Sequence, residues 1–364
     1  MNVNDVHFGL ILGPDDGWEP PMHMEVVKTV QENAAAHLVA QDTMQAGRRG
    51  ALTVLAVAAA VGACAASGPE PAAPASQAQE ARKRAPMLPA PTVVPTRVGK
   101  LAVRDTGPDA TSGEVIVLWP SILSDHRIYR TPIEAWRGRH RLIVVDGPGH
   151  GDSGPAPGSF TMADCAQAVV EVLDALGVAR PVILVGTSWG GLVAGEFALV
   201  QPQRTRAVVM LNTPVHTAPG GPGFSDRFVA WGARWIHATG LYRDGVARAF
   251  FLAATRGRGG PLMEDFHQHL QQADGPALAR SVRSVLIERE PLAPRMAGIA
   301  APTLFVAGRQ DGMYPLEGLR SAAAALPKGQ FEVLDTAHIS VVDAPEQTTA
   351  LIERFLHLLP PIGR

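Results

Sequence analysis

Six short apolar runs, separated by longer amphipathic stretches, are the feature that most restricts how this chain can fold. The runs lie at residues 115–118, 142–145, 182–185, 208–211, 303–306 and 331–334. Their apolar residues are continuous rather than alternating, which is typical of parallel strands covered by helices on both faces of a sheet. The repeated alternation of strand and helix predicts an α/β fold with a mostly parallel sheet.

Two of the intervening helices carry clear boundary signals. Thr161 and Asp164 form a capping box, apolar residues then recur at helical spacing, and Gly177 stands where this helix stops. A last helix is predicted to begin near Pro345, since proline is favoured at the first helical position. These signals place one helix between the second and third strands and another after the sixth.

The alternation breaks between residues 211 and 303, where helical stretches are interrupted by glycine-rich segments. This region contains Trp231, Trp235, Phe250 and Phe251. We interpret it as an insertion in the α/β pattern. The sequence therefore predicts a helical cap at about residues 214–292 of a folded domain that spans residues 98–364.

The N-terminal part has the layout of an export signal at residues 44–64. Arg48 and Arg49 precede an apolar run of about 13 residues that ends in Val-Gly-Ala before Cys64, whereas a spanning helix needs roughly 20. The segment resembles a bacterial lipoprotein signal, whose cysteine is acylated and becomes the mature N-terminus. The resemblance implies lipidation at Cys64 and a membrane-anchored lipoprotein of the bacterial cell envelope. The alternatives are another form of secretion, a short uncleaved anchor, or a buried helix in a cytoplasmic protein.

The residues on either side of this signal have different expected roles. Signal peptides stand at the start of a chain, so translation is expected to begin at Met44 and residues 1–43 to be a non-native extension. Residues 65–97 are rich in Ala, Pro, Gln and Ser. This composition predicts a disordered tether between the signal and the folded domain.

A glycine-containing turn follows the third apolar run and opens a helical stretch. Its sequence is Gly186-Thr187-Ser188-Trp189-Gly190. In a nucleophile elbow, a strand, a strained turn and a helix hold a serine hydroxyl above the sheet, and small flanking residues let strand and helix pack closely. Ser188 is therefore the predicted nucleophile, and the alternative is a serine in an ordinary glycine-rich turn.

A serine nucleophile needs a base, and the base needs an acid that orients it. Asp311 follows the fifth apolar run and His338 follows the sixth, so both come at the carboxyl ends of strands, where ligands bind in such sheets. Serine, aspartate, histidine is one of the known chain orders of such triads. We predict Asp311 as the orienting acid and His338 as the base. Asp335 is a rival acid, but it lies very close to His338 along the chain.

Two backbone amides are predicted to form an oxyanion hole beside this nucleophile. The first is the amide of Trp189, directly after Ser188. The second is expected from the loop at residues 119–123, which follows the first apolar run. By its position in that loop, Ile122 is the expected second donor.

Three further segments carry a family resemblance. Residues 120–125 are Pro-Ser-Ile-Leu-Ser-Asp, followed by Tyr129; residues 146–153 are Asp-Gly-Pro-Gly-His-Gly-Asp-Ser; and residues 337–340 are Ala-His-Ile-Ser. From about Leu101 to its end the chain resembles the α/β-hydrolases, and the first and third segments resemble the 3-oxoadipate enol-lactonases. The resemblance implies the α/β-hydrolase fold. Pro120, Leu123 and Tyr129 depart from the lactonase pattern.

The activity implied by this resemblance is that of a serine esterase or lactonase. We expect cleavage of a carboxylic ester or lactone in a small, apolar substrate, through an acyl-enzyme on Ser188. The tryptophans expected to line an apolar pocket or to lie in the core are Trp119, Trp189, Trp231 and Trp235. C–C bond, amide or perhydrolase chemistry on the same triad is the enzymatic alternative. A catalytically silent binding protein of the same fold is the non-enzymatic one.

Charge and glycine patterns argue against other partners. The formal net charge of -2 and the absence of a long Lys/Arg run make nucleic acid an unexpected partner. Residues 149–154 match Gly-x-Gly-x-x-Gly, but Pro155 and Pro157 follow where a dinucleotide site needs the start of a helix. These glycines are therefore interpreted as shaping a tight loop, and no nucleotide cofactor is expected.

Metal and disulfide chemistry are not expected either. The two cysteines, Cys64 and Cys165, cannot form a disulfide framework, and no Cys/His spacing is typical of zinc. His267 and His269 are two residues apart, which puts them on different sides of a helix, and both are interpreted as surface residues of the cap. Cys165 lies among apolar residues and is expected to be a buried free thiol. No cofactor or metal is therefore expected.

Overall fold

The computed structural model describes residues 87–107, 113–218 and 220–361, and the framework of this part is a sheet of eight strands. The strands are β1 (Thr92–Thr96), β2 (Gly99–Asp105), β3 (Val115–Trp119), β4 (Arg141–Val145), β5 (Val182–Thr187), β6 (Thr205–Leu211), β7 (Thr303–Gly308) and β8 (Gly329–Leu334). Their order across the sheet is β1-β2-β4-β3-β5-β6-β7-β8. The strands from β4 to β8 in this order are parallel, whereas β1 and β2 are antiparallel to their neighbours.

The six predicted apolar runs all lie in the parallel part of the sheet. β3, β5 and β7 are buried along their whole length. A strand that is covered on both faces cannot place polar side chains in water on either side, so its apolar residues are continuous. The predicted α/β fold with a mostly parallel sheet is confirmed.

The edge hairpin of β1 and β2 is a feature that the sequence pattern does not predict. β1 lies inside the range 65–97 that we expected to be a tether, so that prediction is wrong for Thr92–Thr96, and the folded domain begins before residue 98. Only Val94 of β1 is buried, which leaves no apolar pattern to detect. Pro95 is tolerated there because β1 is an edge strand.

Helices connect the parallel strands. The α-helices of the described residues are α1 (Arg130–Trp136), α2 (Met162–Ala175), α3 (Trp189–Val200), α4 (Phe224–Trp235), α5 (Gly240–Phe250), α6 (Ala253–Arg258), α7 (Pro261–Gln272), α8 (Gly275–Val282), α9 (Leu316–Ala323), α10 (Ser340–Asp343) and α11 (Pro345–His357). α2 has the predicted capping box of Thr161 and Asp164, and Gly177 follows its end with a φ of 63°. Cys165 of α2 is a buried free thiol, as expected.

Helices α4 to α8 lie between β6 and β7 and form the predicted cap. α4 packs against α8, and a π-helical turn at Arg283–Ile287 follows α8. Within the ranges that the structure describes, no helix combines the length and the hydrophobicity needed to cross a membrane. The predicted extension at residues 1–43, the signal with Cys64, and residues 65–86 of the tether lie outside the described residues.

Candidate active site

Ser188 lies at the sharp turn between β5 and α3, with φ of 54° and ψ of -107°. This conformation is strained for a residue that has a Cβ, and a hydrogen bond of 2.7 Å from the Ser188 amide to the Leu211 carbonyl oxygen holds it. A Cβ on Gly186 would lie 2.0 Å from the carbonyl carbon of Gly190. A Cβ on Gly190 would lie 1.9 Å from the carbonyl oxygen of Trp119. Both flanking positions therefore need glycine.

The three predicted triad side chains form one line of hydrogen bonds. Oγ of Ser188 lies 2.8 Å from Nε2 of His338, and Nδ1 of His338 lies 2.7 Å from Oδ2 of Asp311. All three side chains are buried. Asp335 is outside this line, because its carboxylate accepts a hydrogen bond from the Gln310 side chain near the surface. The geometry lets His338 accept the serine proton at Nε2 while Nδ1–H donates to Asp311.

Two polar residues that the sequence analysis did not single out hold the His338 loop. Asn212, with φ of 49°, donates from Nδ2 to the Ala337 carbonyl oxygen at 3.0 Å and accepts from Ser340 Oγ at 2.6 Å. Asp343 accepts from the Ala337 amide at 2.9 Å, and burial raises its pKa. The sequence signal for Asn212 is a polar residue directly after the apolar run of β6. Asp343 has no comparable signal.

The cap contacts the triad through the end of α5. The amides of His338 and Ile339 donate to the Phe250 carbonyl oxygen at 3.0 and 3.2 Å. The Phe250 ring centroid lies 5.5 Å from that of His338, and the Tyr314 ring centroid lies 5.4 Å from it. The base of the triad is therefore bordered by aromatic rings.

The four tryptophans expected in a pocket or in the core have two different environments. Trp119 and Trp189 are buried behind the elbow, where their rings meet edge to face with centroids 5.5 Å apart. Trp231 is partly exposed, and Trp235 is 52% exposed on the cap. The first two are core residues that support the elbow.

The loop after β3 reaches the elbow at the place where the second oxyanion amide is expected. Leu123 has a φ of 62°, and its amide donates to Nε2 of His150 at 3.0 Å. Within the described ranges, the amides of Ile122 and Trp189 are paired with no acceptor of the protein. Both amides are free to donate to a ligand, and their part in an oxyanion hole stays a prediction.

Tyr129 ties this loop to the elbow. Its hydroxyl donates to the Trp119 carbonyl oxygen at 2.7 Å and lies 2.9 Å from Oγ1 of Thr187. Burial raises the pKa of Tyr129 well above its ordinary value. The phenol therefore stays protonated and connects the ends of β3 and β5.

His150 holds the same loop from another side. Burial lowers the pKa of His150 to about 3, so its imidazole is neutral near pH 7. Nδ1 lies 3.0 Å from the Pro148 carbonyl oxygen, to which it donates. This tautomer leaves Nε2 to accept the hydrogen bond from Leu123.

His269 is the residue for which the surface prediction is wrong. Its side chain is 4% exposed, and its ring stacks on His150 with centroids 5.5 Å apart. Burial alone would raise the pKa of Asp125, but hydrogen bonds from His269 and Arg127 lower it far below the ordinary value. His267 is partly exposed. The error arises because α7 packs one face onto the β3 loop, and the spacing of two histidines does not show which face is covered.

Neither the possible metal ligands nor the glycine-rich loop at residues 149–154 has the geometry of a binding site among the residues that the structure describes. In the described part of the chain, no group of three or more His, Cys, Asp or Glu side chains is placed to hold a metal ion. The Gly149 amide donates to the Gly154 carbonyl oxygen at 2.9 Å, which closes this loop on itself. The next helix begins at Met162, so no helix N-terminus follows the glycines directly.

Comparison with known proteins identifies the family. A family model described as the alpha/beta hydrolase fold matches residues 114–345. The chain is 26% identical over 274 residues to 3-oxoadipate enol-lactonase 1 of Acinetobacter baylyi, which covers 72% of this chain and 96% of that protein. It is 29% identical over 245 residues to a pimeloyl-(acyl-carrier protein) methyl ester esterase of Xanthomonas campestris pv. campestris, which covers 64% of this chain and 91% of that protein.

A solved structure agrees with this assignment. A thermophilic esterase from Thermogutta terrifontis has a TM-score of 0.67 and 24% identity, and the match covers 74% of this chain and 99% of that one. At this identity the likeness shows a shared fold. The family model, in contrast, matches most of the described chain and includes Ser188, Asp311 and His338. The chain therefore belongs to the alpha/beta-hydrolase fold family and is a hydrolase.

Proposed function

We propose that the protein is a serine hydrolase that cleaves a carboxylic ester or lactone of a small, apolar substrate. The observation that carries the proposal is the buried line of hydrogen bonds from Ser188 through His338 to Asp311. In such a line the imidazole accepts the serine proton, and the carboxylate stabilises the imidazolium that forms. A serine held only for structural reasons has no need of this line or of a strained backbone.

The mechanism follows from the positions of these groups. Nε2 of His338 takes the hydroxyl proton as Ser188 Oγ attacks the substrate carbonyl carbon. The amides of Trp189 and Ile122 stabilise the negative charge that develops on the carbonyl oxygen. His338 then returns the proton to the leaving alkoxide, and an acyl-enzyme remains on Ser188. Water, deprotonated by His338, then attacks this ester, and His338 returns the proton to Ser188 Oγ as the acyl–oxygen bond breaks and the acid leaves.

The substrate class is inferred from two sources. The aromatic rings of Phe250 and Tyr314 border His338, which favours an apolar group next to the scissile bond. The relatives are named for action on an enol-lactone and on a methyl ester. Both substrates are carboxylic esters, cyclic in one case and open in the other, so ester or lactone cleavage is the common chemistry.

The experiment compares chromogenic acetate and butyrate esters with enol-lactone and amide substrates. We expect turnover of the esters or the lactone. Ser188→Ala and His338→Ala should each lower kcat by about 10⁴- to 10⁶-fold, and the double variant should be no worse, because triad members act as a unit. Ser281→Ala is the matched control, since Ser281 is another buried serine and its hydroxyl donates to Pro148.

The outcomes separate the proposal from its alternatives. A fluorophosphonate probe should label the wild type and the Ser281→Ala variant but not Ser188→Ala. Absence of labelling in the wild type would favour a binding protein of this fold. Labelling with turnover of amide or C–C substrates in place of esters would reassign the reaction. A Ser188→Ala variant that keeps a tenth of the activity would end the proposal.

We also propose that the mature protein begins at Cys64 and is anchored by lipid in a bacterial cell envelope. The support is the succession of two arginines, a short apolar run and Val-Gly-Ala-Cys. One acyl chain binds a membrane only marginally, so firm attachment requires more than one. Fractionation of the native host should find the wild type in membranes, and Cys64→Ser should keep its precursor mass or become soluble. Intact protein that retains residues 44–63 in the cytoplasm would contradict this localisation.

A further inference from the structure

Helix α4 of the cap directs its largest side chains to solvent. Phe224, Phe228, Trp231 and Trp235 follow one another at spacings of four, three and four residues, which places them within about 60° on one helix face. We name these four residues the aromatic stripe. Phe224 is 83% exposed and Trp235 is 52% exposed. Neighbouring rings stack on each other, with centroids 6.2 Å apart for Phe224 and Phe228 and 5.7 Å apart for Phe228 and Trp231.

The buried side of α4 is made of small residues. Ala230, Gly232 and Ala233 are buried, and a Cβ on Gly232 would lie 2.5 Å from the ring of Tyr242. An ordinary amphipathic helix turns its large apolar residues toward the core. α4 does the reverse, so core packing does not account for the aromatic stripe. A row of exposed aromatic rings of this kind marks an interaction surface.

The charged residues of α4 that flank the aromatic stripe are arginines. Arg227 and Arg234 lie together on one flank of it, because they are seven residues apart on the helix. The Arg234 guanidinium lies 4.9 Å from the Trp235 ring centroid. Asp226, the acidic residue of α4, lies on the opposite side of the helix, and its carboxylate accepts from the Gly223 amide at 2.8 Å. This surface is therefore complementary to a negatively charged one.

We propose that the aromatic stripe docks on an anionic membrane surface. Phenylalanine and tryptophan on one face, with arginines beside them, are the composition of helices that lie in the headgroup region of a bilayer. A second copy of this chain is a poorer occupant, because a two-fold interface would bring this basic surface against itself. Anionic lipids instead attract each nearby arginine.

The position of α4 gives this docking a consequence for the active site. The Tyr242 hydroxyl of α5 donates to the Val229 carbonyl oxygen of α4 at 3.0 Å. Phe250, at the end of α5, accepts from the His338 amide at 3.0 Å. Docking through the aromatic stripe therefore places the cap, which contacts the triad through α5, against the bilayer, where apolar esters concentrate.

The test is sedimentation with vesicles of phosphatidylcholine alone or with about 30% phosphatidylglycerol. Every arm uses the full chain with Cys64→Ser, so that acylation does not contribute. The stripe variant carries Phe224→Ser, Phe228→Ser and Trp235→Ser. The matched control carries Val93→Ser, Val200→Ser and Leu358→Ser, which alter exposed apolar residues outside the cap. A charge variant carries Arg227→Gln and Arg234→Gln.

We expect the parent and the matched control to bind anionic vesicles about tenfold or more tightly than the stripe variant. The charge variant should lose the preference for phosphatidylglycerol. Brominated lipids should quench tryptophan fluorescence in the parent and not in the stripe variant. Circular dichroism and urea denaturation verify that each variant is folded.

Two results would overturn the proposal. The first is equal binding of the parent and the stripe variant to both kinds of vesicle. In the second, the parent is a dimer and the stripe variant a monomer in gel filtration, and the two bind vesicles equally. That result would make the aromatic stripe a contact between two copies of this chain. Neither result depends on turnover, so this proposal and the proposed hydrolase activity fail independently.

Discussion

Replacing His150 by phenylalanine is expected to lower the free energy of unfolding near neutral pH. In acid the decrease should be smaller. The aromatic ring fills a similar space but cannot accept the hydrogen bond that the Leu123 amide donates to Nε2. Leu123 is 1% exposed, so its amide would be left buried without an acceptor. The Pro148 carbonyl oxygen keeps the hydroxyl of Ser281 as a donor. The main loss is therefore one buried amide hydrogen bond.

The magnitude follows from this loss and from the pKa of His150. An unsatisfied buried amide costs about 1–3 kcal/mol, which is the expected destabilisation near pH 7.5. In acid the unfolded chain protonates His150 near its ordinary value of 6.5, whereas the folded protein keeps it neutral down to a pKa of about 3. Wild-type stability therefore falls as the pH drops below that ordinary value. At about pH 5 this effect amounts to about 2 kcal/mol.

Phenylalanine does not titrate. The difference in unfolding free energy between wild type and His150→Phe should therefore shrink by about 2 kcal/mol from pH 7.5 to pH 5, and it should approach zero near pH 5. Urea denaturation followed by tryptophan fluorescence measures the difference. His150→Gln is the matched control, because an amide side chain can accept from Leu123 and does not titrate. It should be more stable than His150→Phe at both pH values.

The His150→Phe substitution should also affect catalysis. Without the hydrogen bond, the loop that carries Ile122 is held less firmly beside Ser188, and kcat should fall by about tenfold while His150→Gln stays near wild type. If His150→Phe lowers the unfolding free energy by the same amount at both pH values, His150 is not a neutral buried imidazole in the folded protein. A His150→Gln variant as unstable as His150→Phe would refute the importance of the Leu123 hydrogen bond.

Three further predictions test other parts of the site. Asp311→Asn should lower kcat by about 10⁴-fold by disturbing the imidazole tautomer, whereas Asp335→Asn should change it little; steady-state kinetics that show the reverse would exchange their roles. Tyr129→Phe removes the hydroxyl that joins the ends of β3 and β5. Urea denaturation should show an unfolding free energy lower by about 1–2 kcal/mol, and kcat should fall. An unchanged kcat would show that this hydroxyl does not help to position the oxyanion loop. Burial raises the pKa of Cys165 well above its ordinary value, so iodoacetamide should modify it only after unfolding, as peptide mass spectrometry can show; rapid modification of the folded protein would contradict this environment.

Much of the fold and all three residues of the triad could be predicted from the sequence because the signals are local. A strand covered on both faces has a continuous apolar run, and six such runs identified β3 to β8. Residues that directly follow parallel strands of one sheet all lie at the same edge of that sheet. For this reason Ser188, Asp311 and His338 could be placed together before their distances were known.

What only the tertiary structure decided depends on contacts between segments that are distant along the chain. β1 was missed because an edge strand with one buried residue leaves no periodic signal. His269 was misplaced because the partner of α7 is the loop after β3, which lies far from it in sequence. The same holds for the bond from Leu123 to His150 and for the outward direction of the aromatic stripe. Hydrophobic spacing identifies which residues share a face of a helix, whereas the packing of the whole domain determines whether that face meets protein or solvent.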